Sequence, residues 1–577
     1  MNEHKPRRLR WMLFFALTAV LILSCKTLMP FTAAPMPVST ASPLPKQIQL
    51  STTTAAQPSA KVSVTPFLSS YAKPVAYTPW PFKTTVPSLT PTLPPSWDWQ
   101  ISSAEAQGMS SIKLAEMLVA IRSASDFNER NIHSILIVRH GRLVMEAYFS
   151  PFHAGAVHQL ASCTKSVTSA LVGIAIGQGL LKGVDQPAWE LFPEVTLDDP
   201  HKKEITVEHF LSMSSGLEWP EGEIEYRSPN NPYSATSYLP ASTQFVFDQP
   251  LIRTPGTQFN YNSGGSHMLS VMVNRASGIS TLEFARRELF APLGISTTRW
   301  EKGEDGVNLG GSGLFLLPRD MAKFGQLYLQ NGRWDDKQVV PQKWVHASSQ
   351  KHISLRSGVD YGYQWWIPQG KGYVAMGWGQ QNIWVLPEQD MVVVFTAGMK
   401  NNQWLPHQQY LDKYILPAVK STQPLPANPQ GEAKLAAELE AVQNPEPKPV
   451  KPLPQVATQL IGKTYLVTGA SITLGLQSIS ILGYTPNEAL IRVGFTHEDV
   501  DLRAGLDGVY RRSPTKTGEI ALKGNWEDDH TFALDWQDIN SAEHALIHLT
   551  YQEDALRVKV DLHVEGISEE SEGSWMR

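Results

Sequence analysis

A serine three residues before a lysine is a spacing that can make a nucleophile. On a helix the two positions share one face. The hydroxyl becomes reactive once a neighbour takes its proton, and a buried lysine can do so because burial disfavours its charged form. The sequence holds five such pairs, starting at Ser70, Ser110, Ser162, Ser348 and Ser513. Only Ser162 opens a long apolar helix, in which Ser162-Cys163-Thr164-Lys165 runs on into Leu171-Val172-Gly173-Ile174. Ser70 lies in a Pro/Ser/Thr-rich stretch, and Pro514 follows Ser513. Lys113 has polar neighbours, and Ser348 falls near a helix end. A second group is Tyr261-Asn262-Ser263, in a loop after Pro255-Gly256 and before a helix expected over Ser266–Ala276. Tyr261 could share with Lys165 the task of taking the Ser162 proton, and Ser263 and Asn262 could complete a proton network. The sequence does not choose between Lys165 and Tyr261 as base. Taken alone, Ser162 reads equally as a helix N-cap beside a solvated lysine, and Tyr261 as packing.

These residues need a frame. The sequence predicts a helix over Ser111–Ser123 and a hairpin of Ser134–Val138 and Leu143–Phe149 around the turn 139–142. A later hairpin is expected in 373–386, followed by the turn Pro387–Asp390 and a strand over Met391–Thr396. It carries Gly377-Trp378-Gly379, where glycine lets the backbone come close to a substrate. A literal Lys516-Thr517-Gly518 reads as a turn between Pro514 and Glu519. Trp378, with Trp365, Trp366 and Tyr363, could form an apolar wall of a pocket or sit in the core. Cys163, off the face shared by Ser162 and Lys165, reads as a buried, inert thiol. His140, His158 and His267 lack metal-ligand spacing.

Residues from roughly 105 to 419 resemble the serine β-lactamase and penicillin-recognising family, in particular its class C-like branch of esterases, D-amino-acid amidases and 6-aminohexanoate-dimer hydrolases. Ser162 and Lys165 match its first motif, and Tyr261-Asn262-Ser263 its second. Supporting matches are Ser214-Ser215-Gly216-Leu217, Pro318-Arg319-Asp320 and Tyr361-Gly362-Tyr363-Gln364-Trp365-Trp366. The resemblance implies an α+β, β-lactamase/transpeptidase-like fold, with an antiparallel sheet flanked by helices and a helical subdomain. It also implies an acyl-enzyme on Ser162, no cofactor and no metal. The oxyanion would sit between the Ser162 N–H and an N–H of the Gly377–Gln380 segment. Relatives that hold a substrate carboxylate carry a cation in that third motif. Gly377-Trp378-Gly379 has none, which favours a small ester or amide over a β-lactam or D-alanyl peptide. A receptor that keeps the pocket without turnover is the alternative, and a third reading makes the C-terminal part a partner-binding module.

The chain has 577 residues and a net charge of −5, which argues against nucleic acid as a partner. Its only cysteines are Cys25 and Cys163, so a disulfide framework is excluded. Lys5, Arg7, Arg8 and Arg10 precede a 13-residue run, Trp11–Leu23, that is apolar but for Thr18, too short for a spanning helix and suited to a signal peptide. Ile22-Leu23-Ser24-Cys25 resembles the lipobox of bacterial lipoproteins. Whether Cys25 is lipidated or 1–25 is an uncleaved anchor, the rest is expected outside the cytoplasm, tethered to a membrane. Residues 26–96 read as a disordered tether, 97–419 as the hydrolase-like domain and 420–455 as a Pro-rich linker with a short helical stretch, Glu432–Val442, inside it. Residues 456–577 read as a small all-β domain, because short alternating runs are spaced by Gly, Asn and Asp.

Overall fold

The computed structural model describes residues 98–575, apart from 127–130, 225, 227, 229, 356–357, 401–405, 469–474, 496–497, 553–554 and 565. The leader, Cys25 and the stretch 26–96 lie outside the described residues. The apolar runs that alternate around tight turns form one antiparallel sheet of eight strands. Its order is Arg142–Tyr148, Ile132–Arg139, Met391–Ala397, Gln381–Leu386, Tyr373–Gly377, Trp366–Pro368, Val359–Tyr361 and Ile353–Ser354. The chain thus pairs its early hairpin with its late one, Ile137 opposite Val393 and Leu136 opposite Val394.

Strand Ile132–Arg139 is buried along its whole length, as expected where a sheet is covered on both faces. Leu136 and Val138 pack with the helices Thr164–Gly177, Ser263–Ser277 and Pro318–Leu329. Ile135 and Ile137 face the other way, into a cluster with the Ser111–Ser123 helix and Leu411, Ile415 and Ala418. Each such side chain contributes about 1.5–3 kcal/mol. The helix Thr164–Gly177 is apolar almost all round and deeply buried. It meets Trp344 at Gly173, where an added Cβ would stand 2.2–2.4 Å from the indole ring. Gly173→Ala is therefore expected to destabilise the fold by about 2 kcal/mol through overpacking, read as a lower denaturant midpoint at unchanged m-value.

The stretch 420–455 does more than span a gap. Lys420 N–H donates to the Gly108 carbonyl and Leu425 N–H to that of Glu105. The helix Pro429–Gln443 lies on the Ser111–Ser123 helix, with Leu435 and Val442 buried. Beyond it the chain folds into an all-β barrel. Nine strands close it: Thr464–Thr468 pairs with the last strand, Ile567–Trp575, and Glu498–Gly505 pairs in parallel with Glu519–Trp526. Side chains alternate along it. In Ala555–Leu562, Leu556, Val558, Val560 and Leu562 point into the core while Arg557, Lys559 and Asp561 point away from it. Lys516-Thr517-Gly518 is a turn, closed by Thr515 N–H on the Gly518 carbonyl.

Two buried histidines tie stability to pH. His158, whose Nε2 lies 2.9 Å from His133 Nδ1, is drawn down to about 4 by burial, and His407 to about 3 by the same cause. Both rings are neutral in the fold, whereas the unfolded chain takes up protons near pH 6.5. The stability they contribute is present above pH 6.5 and is lost as pH falls from there towards 4, on the order of 3 kcal/mol for His158 alone. A melting temperature that declines across that window in calorimetry is the expected result.

Candidate active site

Ser162 lies in the 3-10 turn Ala161–Cys163 that runs into the helix Thr164–Gly177. The turn is entered from the two-residue strand His158–Gln159, which pairs with Leu314–Leu316, and that with Arg299–Trp300. Ala161 sits at φ 46°, a left-handed conformation that costs a non-glycine residue about 1–3 kcal/mol. The surroundings enforce it. Leu160 N–H donates to the Leu314 carbonyl at 2.8 Å. Gly377 comes so close that a Cβ there would lie 2.3 Å from the Leu160 carbonyl oxygen. Ser162 itself stays half-buried, at the opening of the helix.

One turn on, Lys165 is 2% exposed, and its Nζ donates to Ser162 Oγ at 3.0 Å and to the Gly311 carbonyl at 2.9 Å. Burial lowers Lys165 to about 8, against the opposing fields of Glu221 and Cys163. Tyr261 lies beside this pair, its ring 4.8 Å from Lys165 Nζ and stacked on Trp366 at 6.0 Å. Burial first, then Tyr361 and Glu221, push its phenol well above 10. Lys165 can therefore give up and accept a proton near neutral pH, while Tyr261 keeps its own.

Glu221 has no counterpart among the residues expected from the sequence. It is 1% exposed. Its carboxylate accepts from Ser263 N–H (2.8 Å), Ser263 Oγ (2.7 Å), Trp219 Nε1 (2.8 Å) and Tyr226 hydroxyl (2.9 Å). Glu221 is one of four glutamates within residues 218–225, so the sequence did not single it out. Ser263 thus spends its hydroxyl on Glu221. Asn262 acts as the N-cap of the helix Ser263–Ser277, its Oδ1 accepting from Gly265 N–H at 2.6 Å. The helix starts three residues earlier than expected because of that cap.

The Gly377–Gln380 segment lies beside the Ser162 turn, with Gly377 against Leu160 and Ala161. Gln380, at φ 72°, donates its N–H to the Gly377 carbonyl at 3.1 Å, closing the turn. Trp378 is no open wall: it is 4% exposed and packs with Ala161, Ala542 and Val564, the last two from the barrel. Gly379, at φ 73°, permits the turn. Trp365 is core, packed with Phe324, Tyr328 and Tyr373. Tyr363 stacks on His352 and donates to Glu208 at 2.6 Å. Cys163 is buried, its thiol pushed up by burial and donating to the Gln381 carbonyl.

The beta-lactamase family model matches residues 122–412. The chain is 26% identical over 285 residues to the 6-aminohexanoate-dimer hydrolase of Paenarthrobacter ureafaciens, covering 45% of this chain and 71% of that protein. It is 26% identical over 180 residues to the lovastatin esterase of Penicillium rubens, 28% of this chain and 43% of that one. Among solved structures, the octameric penicillin-binding protein homologue from Pyrococcus abyssi aligns with 80% of this chain and 99% of its own, at 17% identity and a TM-score of 0.43. The family match takes in half of the chain, with Ser162, Lys165 and Tyr261 inside it. The chain belongs to the beta-lactamase family.

Proposed function

We propose that this protein is a serine hydrolase that cleaves a small ester or amide through an acyl-enzyme on Ser162. The observation that carries the reading is the 3.0 Å contact between Ser162 Oγ and the Nζ of a buried lysine held near neutrality at about 8. Neutral Lys165 takes the Ser162 proton as Oγ bonds to the carbonyl carbon. Tyr261 stays protonated and relays the proton that Lys165 took to the leaving group as its bond to the carbonyl carbon breaks, which returns Lys165 to neutral. Backbone N–H groups of Ser162 and of the turn after Gly377 would hold the oxyanion, each contributing about 2.7–4 kcal/mol. Water then cleaves the acyl ester and restores Ser162. The missing cation at Gly377-Trp378-Gly379 favours a substrate without a carboxylate at that point. The names of the two relatives, a 6-aminohexanoate-dimer hydrolase and a lovastatin esterase, support hydrolysis of a small molecule.

We place the enzyme outside the cytoplasm, anchored through Cys25 or through the leader itself, on the strength of 1–25. The reaction is tested with a p-nitrophenyl ester, a fluorophosphonate and a penicillin, each followed by intact mass. Ester turnover with a single phosphonate adduct is expected. Folded protein that forms no adduct with any of the three would point to a receptor instead.

A further inference from the structure

A loop of the barrel, residues 539–543, lies against the site and joins the strands Thr531–Asp538 and His544–Gln552. The Asn540 carbonyl accepts from Gln159 N–H, and Asn540 Nδ2 donates to the Val157 carbonyl, both at 2.8 Å. The loop thereby extends the small sheet whose first strand ends just before Ser162. Asn540 is itself fixed, since its Oδ1 accepts from Glu519 N–H at 3.0 Å. Arg299, on the far strand of that sheet, donates to the Thr517 carbonyl of the neighbouring barrel turn at 3.0 Å.

Two residues on, Ala542 packs with Val564 against Ala161 and Trp378. The fit is tight. A Cβ on Gly379 would stand 2.4 Å from Ala542 Cβ, and one on Gly398 would stand 2.7 Å from the Ala542 carbonyl oxygen. One loop of the barrel therefore touches both the strand that delivers Ser162 and the turn that faces it. It also packs on the left-handed Ala161, whose strain persists only while its neighbours over-determine it.

We propose that the 539–543 loop is a positioning element of the active site. Asn540 and Ala542 hold the Ser162 turn and the Gly377–Gln380 turn at the separation that oxyanion binding needs. The proposal rests on Ser162 being the nucleophile. Oxyanion donors act only within about 2.7–3.1 Å of the developing charge, and a displacement of about 1 Å can cost on the order of 10²-fold. Such a loss falls on kcat, because the donors close on the transition state more than on the bound substrate.

The test uses the full-length protein and p-nitrophenyl acetate. Asn540→Ala removes the bond to Val157, and Ala542→Leu pushes on Gly379. Each is expected to lower kcat about tenfold or more, with KM within about twofold, and to slow fluorophosphonate labelling in parallel. Arg492→Ala, in an exposed ion pair with Asp501 on the barrel, is expected to leave both constants unchanged. If Ala542→Leu does not fold, Ala542→Val applies a smaller push at the same place. Folded Asn540→Ala and Ala542→Leu with wild-type kcat would overturn the proposal, and so would a rise in KM at unchanged kcat. The two readings fail separately. Full activity in Ser162→Ala defeats the nucleophile assignment, whereas an inactive Ser162→Ala beside fully active loop variants defeats only the positioning role.

Discussion

Ser162→Ala is expected to lower ester turnover by on the order of 10⁴–10⁶-fold and to abolish phosphonate labelling. The substitution is clean. Ser162 is half-buried and sits at a helix start, so the lost hydroxyl leaves no cavity in the core. Lys165 keeps its bond to the Gly311 carbonyl. Folding is therefore expected to be unchanged, with the same melting temperature within a degree or two. Residual rate above background would come from backbone donors and substrate binding alone. Intact mass before and after the probe decides: an adduct on the alanine variant equal to that on the wild type would move the nucleophile elsewhere and sink the assignment.

The pH dependence is the second large effect. If neutral Lys165 accepts the Ser162 proton, kcat/KM rises with pH and levels off above about 8, the value to which burial lowers this lysine. Glu221 opposes that fall, because its carboxylate favours the charged ammonium. Glu221→Gln removes the negative field and lowers Lys165 further, so the acid limb of the profile is expected to move down by about one pH unit. The same change replaces one acceptor oxygen by an NH2 group and costs two of the four hydrogen bonds that Glu221 receives, so kcat at the plateau falls as well. Lys165→Met removes the base and is expected to lower kcat by about 10³-fold, and to flatten the limb. A profile whose acid limb is the same in wild type and Glu221→Gln would show that Glu221 serves the loop alone.

How much of this was legible follows from what each residue touches. Ser162, Lys165 and Tyr261 could be read because helix spacing and an apolar run fix where two of them point. The hairpin Ile132–Tyr148 could be read from β-branched runs around His140-Gly141. Glu221 could not, since its partners Trp219, Tyr226 and Ser263 meet only when the loop closes on the helix Ser263–Ser277. Trp378 was open to two readings, and what buries it is Ala542, more than 160 residues later in the chain. In the barrel, strands such as Thr531–Asp538 alternate visibly. Glu498–Gly505 and Ile567–Trp575 are too rich in Glu, Asp, Ser and Gly to stand out, because their outward faces are charged and several inward residues are small. The helix Pro429–Gln443 was legible as the stretch Glu432–Val442, and only its first turn, opening on Pro429 behind the Asn428 cap, lay beyond that reading. Its face is carried by Leu435, Leu439 and Val442, which pack on the Ser111–Ser123 helix side of the core.

The pairing of Tyr465 with Trp575 closes the barrel with the last strand of the described chain. A ribosome delivers Ser162 long before it delivers that strand. A chain cut off before Ile567 would leave Thr464–Thr468 and Ala555–Leu562 as two open sheet edges, each a template for pairing with another molecule. The loop between Thr531–Asp538 and His544–Gln552 would then hang from an unfinished sheet. Loss of that strand is therefore expected to loosen the contacts that Asn540 and Ala542 make with Val157, Gln159 and Trp378. A stop before Ile567 is expected to yield an aggregation-prone product, read as loss of soluble protein on expression.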